Sequence, residues 1–226
     1  ASAVQVVPEV AARAEQVFVF SRTPNWVMPR GNRRYSEEEK QRLRSDAEWR
    51  RYRRQRLRGS MYLYRAFKKH RAAIDGLRWV GVQHMKKAID DPAMIAALTP
   101  DYDPGCKRIV VSDEYYPALA EDHVELIPQG VIALTADSVV AVDGSERPVD
   151  VVVFCTGYKL GSRDDGRPPL DVWGIGGRHL SRALAERPEA YRGIAIPGFP
   201  NYFTVCGING VVAYAPLFMS AEVETE

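Results

Sequence analysis

A cation and two hydroxyls follow the first apolar run of the sequence. The run Gln16–Phe20 is apolar almost throughout, as expected of a buried parallel strand, and Ser21, Arg22 and Thr23 come directly after it. In sheets that bind dinucleotides, the end of the second strand meets the adenosine ribose, where an acidic residue prefers NAD and an arginine accommodates a 2′-phosphate. Residues 16–36 contain no Asp or Glu, so the sequence favours NADP. The alternative is an arginine that is merely solvated.

A second pair of cations, Lys107 and Arg108, follows Gly105-Cys106 at the start of a predicted strand, Lys107–Val111. A lysine can meet the same 2′-phosphate as a point charge, whereas an arginine keeps its charge and can bind an anion with its planar fork. Because side chains alternate along a strand, the two are predicted to point in opposite directions and to serve different ligands. The spacing alone leaves open whether they bind anything.

Three glycine-linked stretches are candidate places for the backbone to approach a nucleotide. Residues 1–5 (ASAVQ) fit the tail of a glycine-rich loop that opens a helix, if the loop glycines lie upstream. Thr156-Gly157 follows an apolar run, and Gly207-Ile208-Asn209-Gly210 precedes a predicted helix whose free N–H groups can face an anion. The alternatives are an ordinary amphipathic helix in the first case and plain turns in the other two.

The composition argues against several classes of protein. The chain of 226 residues is 46% hydrophobic, and no apolar run approaches the ~20 residues that a membrane-spanning helix needs. Three widely spaced cysteines argue against a disulfide framework and for a reducing, cytoplasmic setting. The four histidines share no metal-ligand spacing with each other or with the cysteines, so no metal site is predicted.

The middle of the sequence is strongly basic. Between Arg30 and Arg71 it has sixteen Lys/Arg against five Asp/Glu, although the net charge of the whole chain is only +2. This segment also contains Trp49 and Tyr52, so nucleic-acid binding is one hypothesis. The alternative is a solvated helical surface whose aromatic rings pack inward under the arginine stems. We favour this alternative because no DNA- or RNA-binding motif accompanies the charge.

Apolar strands that alternate with helices predict an α/β fold with a helical insertion at about residues 31–98. The apolar spacing of residues 1–14 predicts a helix. Ser36 and Glu39 form a capping box that starts a helix through the basic segment. The other predicted elements are helices at residues 60–73, 82–97 and 113–120 and strands at 123–127, 139–142 and 149–155, the last two flanking the turn Asp143-Gly144.

Five stretches of the sequence, taken in order, resemble one family. They are ASAVQVVPEVA, VFSRTPNWVMPR, PGCKR, VVVFCTGY and GIAIPGFPNYFTVCGINGVVAYAP. Together they are similar to flavin-dependent, NADPH-dependent monooxygenases with two dinucleotide-binding domains, above all those of the Baeyer–Villiger branch. The family's first FAD glycine motif and the glycines of its second nucleotide motif are not in this sequence, which therefore resembles an incomplete chain of the family.

The resemblance implies a Rossmann-like NADPH-binding domain at residues 1–154, with the helical insertion at about 31–98, and part of an FAD-binding domain at 155–226. It implies that Arg22, Thr23 and Lys107 bind the 2′-phosphate of NADPH. Arg108 is implied as the active-site arginine beside the flavin and the nicotinamide. The remaining implied cofactor residues lie near the NADPH pyrophosphate (Ser2, Gln5), at the hinge between the domains (Thr156, Gly157) and on the flavin side (Gly207, Asn209).

The implied cofactors are FAD and NADPH, and the implied reaction inserts one oxygen atom from O2 through a C4a-peroxyflavin. In the Baeyer–Villiger branch a ketone becomes an ester or a lactone. Arg108 suits this chemistry because one preorganised donor stabilises developing negative charge by ~3–4 kcal/mol. Two alternatives stay open: a flavin monooxygenase that oxygenates amines or sulfides, and a truncated nucleotide-binding remnant without catalytic activity.

Overall fold

Helices and short strands alternate along the chain, so the fold is mixed α/β, as predicted. The structure is a computed structural model that describes residues 2–157 and 171–208, together with residues 221, 222 and 225. It divides into two compact units, one of residues 1–55 and 62–157 and the other of residues 56–61 and 158–226. In chain order the elements are α1 (Ala3–Ala11), β1 (Val17–Phe20), β2 (Val27–Met28), α2 (Glu37–Leu43), α3 (Asp46–Phe67), α4 (Arg71–Lys86), α5 (Pro92–Leu98), β3 (Val110–Val111), α6 (Tyr115–Leu119), β4 (Val124–Ile127), β5 (Val131–Leu134), β6 (Ser138–Ala141), β7 (Glu146–Pro148) and α7 (Leu180–Glu186).

The strands β1 and β4 form a parallel pair in the first unit. They are in register from Val17 opposite Val124 to Phe20 opposite Ile127. Helix α1 contacts both this pair and α6, because its apolar residues recur at helical spacing and form one buried face. The residues of this face are Val4, Val7 and Ala11. The helix predicted for residues 1–14 is therefore confirmed, two to three residues shorter at each end.

The helical insertion contains four helices, α2 to α5, and their boundaries differ from the predictions. The capping box is confirmed, since Glu39 N donates to Ser36 Oγ at 3.2 Å and Ser36 N donates to Glu39 Oε2 at 2.9 Å. The helix predicted at 60–73 is wrong, because Lys69 adopts a left-handed backbone (φ 59°) that separates α3 from α4. The helix predicted at 82–97 is also broken, because Asp91 caps a new helix that begins with a proline.

The strand predicted at Lys107–Val111 is shorter than expected. Only Val110–Val111 forms a strand, β3, which pairs in parallel with β2. The pairing begins where Val110 N donates to Trp26 O at 3.0 Å. Lys107 and Arg108 thus lie in the loop before the strand, so the predicted strand is wrong at these two residues and strand alternation does not decide where their side chains point.

The predicted hairpin has the right turn but the wrong second strand. Gly144 takes a positive φ of 83° in the turn, as a glycine readily does. The partner of β6 is β7, at Glu146–Pro148, whereas residues 149–155 form no strand. The ladder ends because β6 is only four residues long and its first residue, Ser138, already faces Pro148. Strand β5, which pairs with the other side of β6, is not among the predicted strands.

The second unit has its own small apolar cluster, described here by itself. Helix α7 buries Leu180 and Ala183, which pack with Ile196 and Phe199. A Cβ on Gly174 would lie 2.2 Å from Gly198 O, so the chain at this point can pass its neighbour only as glycine.

Candidate functional site

The loop after β1 lies where two neighbouring parallel strands end. Ser21 N donates to Ile127 O at 2.9 Å, which continues the β1–β4 pairing by one residue. Arg22 and Thr23 then leave the sheet, and both are exposed. A Cβ built on Gly130 would lie 3.8 Å from Arg22 Cδ, so the stem of this arginine passes close to the loop that follows β4. Open α/β sheets bind ligands outside the carboxyl ends of their strands, which is the position of Arg22.

The start of α1 lies at the same edge of the sheet. His123, just before β4, hydrogen-bonds Ala11 O at 2.9 Å and so holds the end of α1 at the amino end of that strand. The nine residues of α1 and the four of β1 both span about 13 Å, since a helix rises ~1.5 Å and a strand ~3.3 Å per residue. Ser2 therefore lies near the level of Arg22, and Gln5 lies one turn further along the helix; both side chains are exposed.

A tyrosine joins the loop after β1 to the loop before β3. The Tyr102 hydroxyl donates to Pro24 O at 3.0 Å and lies 3.1 Å from Asn25 Oδ1. In the other direction Trp26 Nε1 donates to Tyr102 O at 2.8 Å. The two loops are thus connected by three contacts across 76 to 78 residues of sequence. Sequence reasoning missed Tyr102, for which the only signal was an aromatic residue between two turn residues.

The same tyrosine positions one of the predicted cations. Lys107 Nζ lies 4.3 Å from the centroid of the Tyr102 ring, within the range of a cation–π interaction. Lys107 and the Pro24 turn therefore contact the same side chain. Tyr102 thus connects Lys107 to the loop that carries Arg22 and Thr23.

The three predicted cations of this site take part in no described salt bridge. In the part of the chain that the structure describes, no salt bridge involves Arg22, Lys107 or Arg108. The carboxylate of Asp103 on the same loop instead forms a salt bridge with Arg78 of α4. The three predicted cations are therefore available to an anionic ligand.

The carboxylate of Asp113 holds the chain at the point where the insertion leaves β2. Asp113 accepts backbone N–H bonds from Arg30 at 2.8 Å and from Gly31 and Asn32 at 3.3 Å each. Burial raises the pKa of Asp113, but these three hydrogen bonds outweigh it, so the pKa lies below its usual value and the group stays ionised. Asp113 thus ties the chain after β3 to the chain after β2.

The hinge residues Thr156 and Gly157 and the flavin-side residue Gly207 each have a local environment that the structure describes. Gly157 has a positive φ of 91° with open space where a Cβ would lie, and Thr156 beside it is exposed. A Cβ on Gly207 would lie 2.2 Å from Thr204 Oγ1, so packing within its own unit explains this glycine. Asn209 lies outside the described residues.

The described residues contain neither a group of metal ligands nor a helix that could cross a membrane. No group of three or more His, Cys, Asp and Glu side chains in the described ranges could hold a metal ion. None of the described helices combines the length and the apolar character that crossing a membrane requires.

Similarity to known proteins extends over almost the whole chain, although no family model matches it. The chain is 37% identical over 223 residues to a Baeyer–Villiger monooxygenase of Streptomyces coelicolor, covering 98% of this chain and 42% of the relative. It is 29% identical over 233 residues to the FAD-binding monooxygenase ktnD of Aspergillus niger, covering 100% of this chain and 37% of the relative. An oxidized steroid monooxygenase bound to NADP has a TM-score of 0.79 and 26% identity, covering 99% of this chain and 49% of that one. In sequence and in fold, this chain is therefore related to the Baeyer–Villiger monooxygenases and spans about two fifths of the length of the curated relatives it matches.

Proposed function

We propose that this chain is part of an FAD- and NADPH-dependent monooxygenase that converts ketones to esters or lactones with O2. Residues 1–154 would be its Rossmann-like NADPH-binding domain, with the helical insertion at about 31–98, and residues 155–226 part of its FAD-binding domain. The observation that carries the proposal is the joining of the Arg22 loop to the Lys107 loop through Tyr102, at the carboxyl end of a parallel strand pair. The names of the relatives, and the NADP bound to the steroid monooxygenase, support the cofactors.

The donor set of this site fits the 2′-phosphate of NADPH. Arg22 offers a planar fork, Lys107 a compact charge and Thr23 a hydroxyl, and such groups match phosphate oxygens. Ser2 and Gln5 stand at the start of α1, where helical N–H groups without an intrahelical partner favour a pyrophosphate. When bound, NADPH supplies the hydride, and the chain's own residues bind and orient it.

Arg108 is proposed to stabilise the negative charge that develops when oxygen is inserted beside a ketone carbonyl. Its position next to Lys107 in the chain would keep it close to the bound nucleotide. FAD supplies the oxygen chemistry when bound. The assignment of FAD depends on the relatives alone. The hinge role of Thr156 and Gly157 and the flavin-side roles of Gly207 and Asn209 stay predictions.

Nucleotide preference tests the first half of the proposal. Isothermal titration of the 226-residue chain should show tighter binding of NADP⁺ than of NAD⁺. Arg22→Gln removes hydrogen bonds to a charged group, so NADP⁺ binding should weaken by about tenfold or more, with NAD⁺ binding unchanged. Arg13→Gln is the matched control, because Arg13 lies at the far end of α1 and pairs with Glu9 at 3.2 Å. Equal affinity of the unaltered chain for both nucleotides would contradict the proposal.

Product analysis tests the second half. The protein expressed from its gene is supplied with NADPH, O2 and either a cyclic ketone or a sulfide, and the products are separated by gas chromatography. A lactone is expected from the ketone, and a sulfoxide alone would favour a heteroatom oxygenase. Arg108→Ala should lower lactone formation by about 10²–10³-fold, with NADP⁺ binding retained. Undiminished lactone formation would remove the role assigned to Arg108.

A further inference from the structure

We infer that Tyr102 is a positioning residue for nucleotide selectivity, which holds Lys107 beside the loop of Arg22 and Thr23. The inference rests on the proposed function, since it requires that these residues meet a 2′-phosphate. In this role Tyr102 touches no ligand itself. It determines instead where two groups that do so are placed.

The hydroxyl end of Tyr102 fixes the loop after β1. Its hydrogen bond to Pro24 O acts on the residue directly after Thr23, and Asn25 Oδ1 lies beside it. Pro24 has a fixed φ and no N–H, so its carbonyl is the group through which this turn can be held. The bond therefore limits how far Thr23 and Arg22 can move away from the sheet edge.

The backbone of Tyr102 is itself anchored in the core. Its carbonyl accepts the indole N–H of Trp26, which is 2% exposed. The Trp26 ring lies against α4 so closely that a Cβ on Gly81 would be 2.9 Å from its Cε3. The backbone of Tyr102 is thus held against the packed core, while its side chain contacts both the loop after β1 and Lys107.

The ring end of Tyr102 limits the freedom of Lys107. A lysine carries its charge on a flexible four-carbon stem, and binding an anion costs entropy when that stem must first be ordered. The ammonium group at 4.3 Å from the Tyr102 centroid is already ordered before any ligand arrives. The contact therefore preorganises the cation against the tyrosine that also bonds to the loop of Arg22.

A purely structural role for Tyr102 makes different predictions. If the residue only fills space between two loops, its removal should weaken the binding of both nucleotides equally, or of neither. If it acts through Lys107, its removal should weaken the binding of NADP⁺ and leave the binding of NAD⁺ unchanged. Its effect should also depend on whether Lys107 is present.

A double-mutant cycle on the full chain separates the two roles. Dissociation constants for NADP⁺ and NAD⁺ are measured by calorimetry for Tyr102→Leu, Lys107→Met and the double variant. Tyr102→Leu should lower the preference for NADP⁺ by about tenfold, since it loses both the cation–π contact and a hydrogen bond. The effects of the two substitutions on the dissociation constant of NADP⁺ should be non-additive by about two- to fivefold. This factor corresponds to the free energy of the cation–π contact alone. Additive effects, or equal losses for both nucleotides, would overturn the inference.

Two further variants keep the outcome interpretable. Tyr64→Leu is the matched control, because Lys68 Nζ lies 5.7 Å from the Tyr64 ring in a pair that is not part of the site, and no change in preference is expected. If circular dichroism shows that Tyr102→Leu is unfolded, Tyr102→Phe removes only the hydroxyl. That variant should bind NADP⁺ about two- to tenfold more weakly and bind NAD⁺ as before. If the preference for NADP⁺ stays the same, the inference is overturned.

Failure of this inference is distinguishable from failure of the proposed function. An unaltered chain without any preference for NADP⁺ contradicts the proposed function and the inference together. The other outcome is a clear preference for NADP⁺ over NAD⁺ in the unaltered chain. If Lys107→Met lowers this preference but no Tyr102 variant changes it, only the inference is contradicted.

Discussion

Helix α4 carries two interior glycines, and replacing each with alanine tests how firmly Trp26 is held. Gly76 is exposed, and a Cβ there would meet no atom within 4 Å. Gly81 is buried, and a Cβ there would lie 2.9 Å from Trp26 Cε3 and 3.2 Å from Trp26 Cζ3. The same substitution in the same helix therefore adds a methyl group to open space in one case and to a packed ring in the other.

The expected free energies differ in sign. Alanine is favoured over glycine in a helix interior by about 1 kcal/mol, so Gly76→Ala should raise the free energy of unfolding by up to that amount. At Gly81 the same gain is opposed by overpacking, which costs about 1–3 kcal/mol where side chains cannot move. The Trp26 ring is 2% exposed and its N–H is bound to Tyr102 O, so it has little room to shift. Gly81→Ala should therefore lower the free energy of unfolding by up to about 2 kcal/mol.

Urea denaturation followed by the helical circular dichroism signal measures both variants. The separation between them should be about 1–3 kcal/mol, which at a slope of about 1–3 kcal/mol per molar urea shifts the midpoint measurably. The slope should stay unchanged, because neither variant alters the surface exposed on unfolding. If Gly81→Ala proves as stabilising as Gly76→Ala, the ring moves freely and Trp26 is not the rigid anchor described above.

Two further predictions concern proton binding. Hydrogen bonds from Arg33 and from Ser36 N lower the pKa of Glu39 to about 2, below its ordinary ~4.3, so its stabilising contribution is complete above pH ~4.3 and is lost as the pH falls through 2. Carbon-13 NMR titration should show this value, and Arg33→Gln should return the pKa towards ~4.3; a value unchanged by Arg33→Gln would contradict the assignment. Burial raises the pKa of Tyr115 to about 12, above its ordinary ~10. The contribution of Tyr115 to the free energy of unfolding is therefore complete below pH ~10 and is lost as the pH rises through 12. Tyr115→Phe should remove an ultraviolet tyrosinate step near pH 12, and loss of a step near pH 10 instead would refute the burial argument.

Local signals predicted the elements that depend on neighbouring residues. The capping box needs only Ser36 and Glu39, three residues apart, and it forms as expected. The break between α3 and α4 could not be predicted in this way, because it occurs at a lysine in a left-handed conformation and no glycine marks it. The signal at Asp91-Pro92 was present in the sequence, as an N-cap residue followed by a proline, and it was overlooked.

In the candidate site too, local sequence patterns point to some residues, whereas contacts between distant parts of the chain place others. Arg22 could be found from sequence because a buried strand ends just before it, and strand ends are recognised by their apolar runs. The role of Tyr102 could not be found, because its bond to Pro24 O spans 78 residues and no local pattern encodes such a pairing. The start of the strand after Lys107 was predicted wrongly for a related reason, since β3 begins where Val110 N bonds to Trp26 O, 84 residues away in the sequence.

The pairing of β1 with β4 has a consequence for the order in which the molecule folds. His123 meets Ala11 O across 112 residues, so the sheet can form only after a long loop, with the whole helical insertion inside it, has closed. Closing such a loop costs entropy before any strand contact offsets it, whereas each backbone hydrogen bond within α2 to α5 joins residues only about four apart. We therefore expect the helices to form early and the junction of β1, β4 and the Tyr102 loop to form late. A nucleotide that binds at this junction can recognise only the completed sheet, so it would act as a selective stabiliser of fully folded molecules.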